Sequence, residues 1–161
     1  MKTTDPAYDP QNADLEAIAH SLIERDPDQL KVRGPSNDGG DDGIHRHRET
    51  GEVTVSEAKF LREDGRVPMA AIDRLWVATK RAGDLYHANA TGVIVSTAED
   101  LRKGAKSLLR KINKDEEVIK VVLHKDLKAI AQDPATDPDL AFRISAALAK
   151  KSRGSARHEN L

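Results

Sequence analysis

The sequence predicts a mixed α/β fold, with a central mixed β-sheet flanked by helices. Three observations predict it. Apolar residues recur at helical spacing over 14–23, 67–82, 97–112, 125–131 and 139–151. Short runs rich in Val and Ile lie between those segments. The resulting order of helix, strands, helix, strand, helix, strand, helix requires parallel crossovers in its second half.

The chain has 161 residues, which suits one domain. We expect a flexible arm over residues 1–13, one folded domain over 14–151 and a disordered tail over 152–161. Asp14 reads as an N-cap, and Leu15, Ile18, Ala19, Leu22 and Ile23 form the buried stripe of the first helix until Pro27 stops it. Gln29 to Val32 reads as a short strand. Gly34 through Gly43 is too rich in Gly, Asp and Pro for a helix and is expected to be a loop. Ile44–Arg48 and Val53–Phe60 read as a hairpin whose two turn residues are Thr50 and Gly51. A helix follows over 67–82, with Ile72, Leu75 and Trp76 facing the core, and then the apolar strand Gly92–Ser96. Thr97 is expected to cap the third helix, placing Glu99 and Asp100 in its first turn. Val118–Leu123 reads as the last strand.

Composition excludes several classes. There are no cysteines, so disulfides and thiolate metal sites are absent. No stretch reads as a signal peptide or membrane span, and a reducing cytoplasmic setting is expected. Charged residues make up 33% of the chain but sum to −1, so net charge carries no nucleic-acid signal. With one Trp, two Tyr and two Phe, a row of aromatic rings for stacking single strands is not expected.

The chemistry concentrates in Val53-Thr54-Val55-Ser56-Glu57-Ala58-Lys59-Phe60. Side chains alternate along a strand, so Glu57 and Lys59 share a face with Val53 and Val55. Charges on so apolar a strand are costly unless paired or bound to an ion. With Thr50 and Gly51 as the turn, Asp42 falls opposite Lys59 and diagonal to Glu57. Hard carboxylate oxygens of this kind suit Mg²⁺, which polarises a phosphate and activates water, and a lysine can stabilise the charge that develops. Left open beside this reading are an exposed Glu57–Lys59 pair on an edge strand, a plain turn at 34–43, and a Ca²⁺ loop there. His45 and His47 share the other strand face and read as surface or DNA-facing residues, lacking a visible third metal ligand.

Asp42, a hairpin and Glu57-Ala58-Lys59 resemble the D…ExK signature of the restriction-endonuclease-like nucleases, and more closely their Mrr-like branch. Leu15-Glu16, Asn37-Asp38-Gly39-Gly40-Asp41-Asp42, and Gly92-Val93-Ile94-Val95-Ser96-Thr97 resemble further motifs of that branch, so the likeness spans roughly 14–131. Asn37 stands where the branch often has Gly. The resemblance implies the restriction-endonuclease-like fold and a metal-dependent DNA endonuclease of restriction or defence type. It implies Mg²⁺, with Mn²⁺ as a substitute, held by Asp42 and Glu57; Lys59 as the catalytic lysine; and Glu16 as an added acidic contact to the metal or its water. It implies DNA as partner, no organic cofactor, and a homodimer for cutting both strands. A structure-selective Holliday-junction resolvase and a non-catalytic DNA-binding module of the same fold remain as alternatives. Lys103, Lys106, Arg110 and Lys114 recur on one helical face, which is either a solvated face or a stripe that follows phosphates.

Overall fold

The computed structural model describes residues 10–33 and 43–159, with side chains described for 10–32 and 43–151. Asp42 and the rest of 34–42 lie outside the described residues, as do 1–9. The elements run α1 (Pro10–Ile23), β1 (Gln29–Arg33), β2 (Gly43–His47), β3 (Val53–Lys59), β4 (Arg66–Val67), α2 (Met69–Tyr86), β5 (Ala90–Ser96), β6 (Asp100–Leu101), α3 (Lys103–Ile112), β7 (Ile119–Val122), α4 (His124–Gln132) and α5 (Pro138–Glu159). None of the described helices is long and apolar enough to cross a membrane.

Five strands form one sheet in the order β1-β2-β3-β5-β7, with β4 and β6 pairing separately. The β1–β2 and β2–β3 pairs are antiparallel, and the β3–β5 and β5–β7 pairs are parallel. This is the mixed sheet expected, and β3 lies at its centre, where the two pairing modes meet.

Strand alternation splits the core into two layers. Val53 and Val55 of β3, Ile44 of β2 and Ile94 of β5 pack against Ile72 and Leu75 of α2 and Ala105 of α3. On the other face, Ala58 and Val95 pack with Leu15, Ile18 and Ala19 of α1, Leu127 of α4 and Ile144 of α5. Gly92 lets α2 lie close on β5: a β-carbon there would come 2.6 Å from Thr79 Oγ1 and 2.7 Å from Ile119 Cδ1.

Several elements differ from the sequence expectation for identifiable reasons. The first helix begins at Pro10, four positions before Asp14, because proline suits the start of a helix. The last continues to Glu159, beyond the expected boundary at 152. The hairpin pairs Gly43 with Ser56, Ile44 with Val55, His45 with Thr54 and Arg46 with Val53, a shift of two positions from the register that set Asp42 opposite Lys59. A tight turn at Thr50-Gly51 needs positive φ at both positions, which a β-branched Thr resists. Instead Gly51 alone is left-handed at φ 76°, and the wider turn closes through Gly51 N–H to His47 O (3.0 Å) and His47 N–H to Glu52 O (2.8 Å). Thr97 caps no helix. Asp100 and Leu101 form β6 alongside β4, and α3 starts at Lys103.

Candidate active site

The end of β3 carries the charged pair that sequence singled out. Glu57 is only 5% exposed, on the face whose other members, Val53 and Val55, belong to the apolar core. Lys59 is half-buried and lies on the same face by strand alternation. On the antiparallel side the ladder ends with Gly43 opposite Ser56, the residue before Glu57. On the parallel side it ends with Lys59 beside Ser96. The carboxylate and the ammonium are therefore presented at the carboxyl end of a strand flanked on both sides. Crevices for ligands form at such ends in α/β sheets.

Just past Lys59 the backbone has no strand partner among the described residues, and side chains satisfy its polar groups and the Lys59 carbonyl. Ser96 Oγ donates to Lys59 O at 2.7 Å. Asn12 Oδ1 accepts from Phe60 N–H at 2.8 Å. Thr97 Oγ1 accepts from Leu61 N–H at 2.8 Å and donates to Leu61 O at 2.6 Å. Ser96 and Thr97 stand in the sequence as part of a motif in which Thr97 reads as a helix cap, and Asn12 falls in the expected arm. The only advance signal was a run of small polar residues just past an apolar strand.

Glu16 stands on α1, half-buried, one turn after Asn12, whose Nδ2 donates to Glu16 Oε1 at 3.3 Å. Partial burial pushes the Glu16 carboxyl above the usual carboxylate range, while the Asn12 hydrogen bond and the charge of Lys31 pull the other way. α1 packs on the face of β3 opposite to Glu57, and Asn12 bridges Glu16 to the Phe60 backbone just past the strand end.

Lys151 supplies a buried cation nearby. Its ammonium, on a side chain 2% exposed, donates to Thr97 O (2.8 Å), Glu99 Oε2 (2.7 Å) and His124 Nδ1 (3.1 Å). All three donors of the ammonium are used, which marks it as the anchor of α5 to the β5 end.

The remaining residues singled out from sequence lie elsewhere. His45 is fully buried, not surface or DNA-facing: its Nε2 lies 2.7 Å from Glu24 Oε2, and its ring meets that of His20 edge-on at 5.5 Å. Trp76 is half-buried under Lys80, whose Nζ sits 4.4 Å from the ring centre. Lys103 and Arg110 are exposed on α3, while Lys106 is held by Asp100 at 2.8 Å. Lys114 falls past the end of that helix.

One described group gathers metal-ligand types: Asp26, Asp28 and His47, with ligand atoms within 4.8 Å of one another. It lies near the start of β3, about 13 Å of strand away from Glu57. His47 Nδ1 accepts the Glu49 and Thr50 N–H groups at 3.2 Å each. The ring proton then belongs on Nε2, which faces Asp26 Oδ2 at 3.6 Å. With its proton on Nε2, the neutral imidazole offers no lone pair there for a metal. At the β3 end the described residues offer one hard carboxylate, that of Glu57, on a buried face.

A family model of the Mrr catalytic domain, described as restriction endonuclease, matches residues 9–131, which is most of the chain. The chain belongs to this restriction endonuclease family. The matched span takes in α1, the hairpin, β5 and all but the last residue of α4, and stops short of α5. No curated protein matches. Among solved structures, the restriction endonuclease MspJI in complex with a 27-mer oligonucleotide aligns at 17% identity over 88% of this chain and 32% of its own, with a TM-score of 0.50. A repair endonuclease from Pyrococcus abyssi aligns at 22% identity over 67% and 46% of the two chains, TM-score 0.47. EndoMS in a complex with double-stranded DNA aligns at 20% identity over 76% and 49%, TM-score 0.47. The restriction endonuclease domain thus spans between a third and a half of the length of these structures. The likeness to MspJI supports the restriction-endonuclease-like fold.

Proposed function

We propose that this restriction-endonuclease domain is a metal-dependent DNA endonuclease hydrolysing phosphodiester bonds at the end of β3. Asp42 and Glu57 hold the divalent ion, Mg²⁺ with Mn²⁺ as a substitute. The observation that carries the reading is the shared face of Glu57 and Lys59 on the central strand, with Gly43 opposite Ser56. Consecutive Cα atoms lie about 3.8 Å apart, so Asp42 is one residue from a position paired with the neighbour of Glu57.

When bound, the ion supplies the positive charge that polarises the phosphate and acidifies water. Lys59 places up to three N–H donors against the non-bridging oxygens as negative charge builds there. Glu16 accepts from Asn12 through Oε1, leaving Oε2 to orient a water for in-line attack. The apolar wall of Val53 and Val55 limits water around Glu57 and strengthens its hold on a cation. Lys103 and Arg110 contact phosphates beside the cut, and two copies acting as a homodimer cut both strands.

The test is cleavage of plasmid, linear, junction and flap DNA with Mg²⁺, Mn²⁺ or EDTA, comparing wild type with Asp42→Ala, Glu57→Ala and Lys59→Ala. We expect metal-dependent cutting that each substitution abolishes. Full activity in all three variants overturns the assignment. DNA binding with no cleavage under any metal assigns the domain to a non-catalytic role, and cutting confined to junctions makes it a resolvase.

A further inference from the structure

We infer that Asn12, Ser96 and Thr97 are positioning residues, forming a polar clasp that fixes Lys59 and Glu16 relative to each other for catalysis. The inference rests on the nuclease reading above and deepens it.

Strand pairing stops at Lys59 and Ser96, so the next backbone groups would be free to shift. Four side-chain hydrogen bonds from three residues instead hold Lys59 O, Phe60 N–H, Leu61 N–H and Leu61 O, all between 2.6 and 2.8 Å. Ser96 and Thr97 are fully buried. Each also has a second anchor: Ala98 N–H donates to Ser96 Oγ at 3.1 Å, and Lys151 donates to Thr97 O. The clasp is thus tied to the rigid end of β5 and to α5.

Asn12 adds the link to Glu16. Phe60 contributes an N–H, so the oxygen of the Asn12 amide must face it, and the NH₂ then faces the Glu16 carboxylate. One planar amide thereby sets the distance between the helix that carries Glu16 and the strand that carries Lys59. An Asp at this position keeps the Phe60 contact but loses the donor and repels Glu16. Rate is sensitive to displacements of about 1 Å in such groups, whereas DNA binding through surface cations is not.

The experiment measures kcat and, separately, the Kd for uncut duplex in Ca²⁺, together with denaturant stability. The variants are Asn12→Ala, Asn12→Asp, Ser96→Ala, Thr97→Val and Thr97→Ser. Thr79→Val is the control, because it removes a similarly buried hydroxyl bond, to Leu75 O at 2.7 Å, away from the site. Removing a clasp bond is expected to lower kcat by about tenfold or more, with Kd within roughly twofold of wild type. Thr97→Ser restores kcat, and Asn12→Asp fails like Asn12→Ala. Thr79→Val loses stability but keeps its rate. The inference is overturned if Ser96→Ala and Thr97→Val cut at the wild-type rate, or if kcat falls in Thr79→Val in step with stability as it does in the clasp variants. Asn12→Asp cutting normally removes the Glu16 link. If the wild-type protein cuts nothing, the nuclease reading fails and the clasp's catalytic role fails with it. Normal wild-type cutting with unaffected variants defeats the clasp alone.

Discussion

The imidazole of His20 occupies the space that a β-carbon on Gly43 would need. His20 is buried on α1, and Gly43 opens β2 directly after Asp42. Glycine at 43 is therefore a packing requirement, set by the close approach of α1 to the start of the strand.

It follows that Gly43→Ala forces the buried His20 ring, α1 or the start of β2 to move. We expect a loss of about 1–3 kcal/mol, the range for overpacking a filled interior, and a fall in cleavage rate because Asp42 is carried with the displaced backbone. Urea denaturation and a cleavage assay read the two effects. A variant as stable and as active as wild type would show that the contact yields without consequence.

Lys151 gives a second prediction. Replacing it with Met keeps most of the apolar stem but leaves Thr97 O without its donor, at an expected cost of about 1–3 kcal/mol. Its partner Glu99 adds a pH signature. The hydrogen bond from Lys151 holds the Glu99 carboxyl below its ordinary range. A group whose pKa is lower folded than unfolded stabilises the fold above its unfolded pKa, and that contribution fades as pH falls through the folded value. The stability gap between wild type and Glu99→Gln should thus be constant near neutrality and shrink in acid, starting around the usual carboxylate pKa of about 4. A gap that widens in acid contradicts the assignment.

Glu16 titrates in the opposite sense. Burial holds its carboxyl above the ordinary value, so the contribution is fully present below the unfolded pKa and is lost as pH rises through the folded one. The ionised side chain is therefore a liability to the fold at neutral pH. Glu16→Gln should be slightly more stable than wild type at pH 7, with no difference in strong acid, while cutting DNA more slowly. Equal or lower stability at pH 7 would show that the charge is accommodated after all.

The cations of α3 separate by their partners. Lys103 and Arg110 are exposed, whereas Lys106 is bound to Asp100, whose carboxyl is lowered first by that hydrogen bond. Lys103→Ala and Arg110→Ala should weaken duplex binding and reduce the dependence of log K on log salt by about 0.9 per lost phosphate contact. Lys106→Ala should change binding less. Identical salt slopes in all of these proteins would place the DNA on another face.

The architecture was readable from sequence because it depends on periodicity. The alternation in Val53–Lys59 gave both the central strand and the shared face of Glu57 and Lys59, and the helical spacing of Ile72 and Leu75 gave α2. What escaped were features decided by tertiary contacts. Thr97 has the sequence context of a helix cap, yet its hydroxyl meets Leu61, 36 positions earlier in the chain. The register slip at the hairpin came from a choice between turns of different length, which the alternation of the two strands does not decide. Asn12 sits ahead of the expected helix start, in a stretch read as a loose arm, so its two hydrogen bonds had no counterpart in any pattern. His45 looked exposed because a polar residue on an edge-proximal strand usually is, and only the arrival of Glu24 makes its burial tolerable.

The central place of β3 bears on how the protein is made. Its antiparallel neighbour β2 lies a few residues upstream, but its parallel neighbour begins at Ala90, some 31 residues after Lys59. A ribosome therefore releases Glu57 and Lys59 well before Ser96 and Thr97 exist to grip the strand end, and Lys151 comes later still. An incomplete chain can form the hairpin yet lacks the fastening of its charged tip.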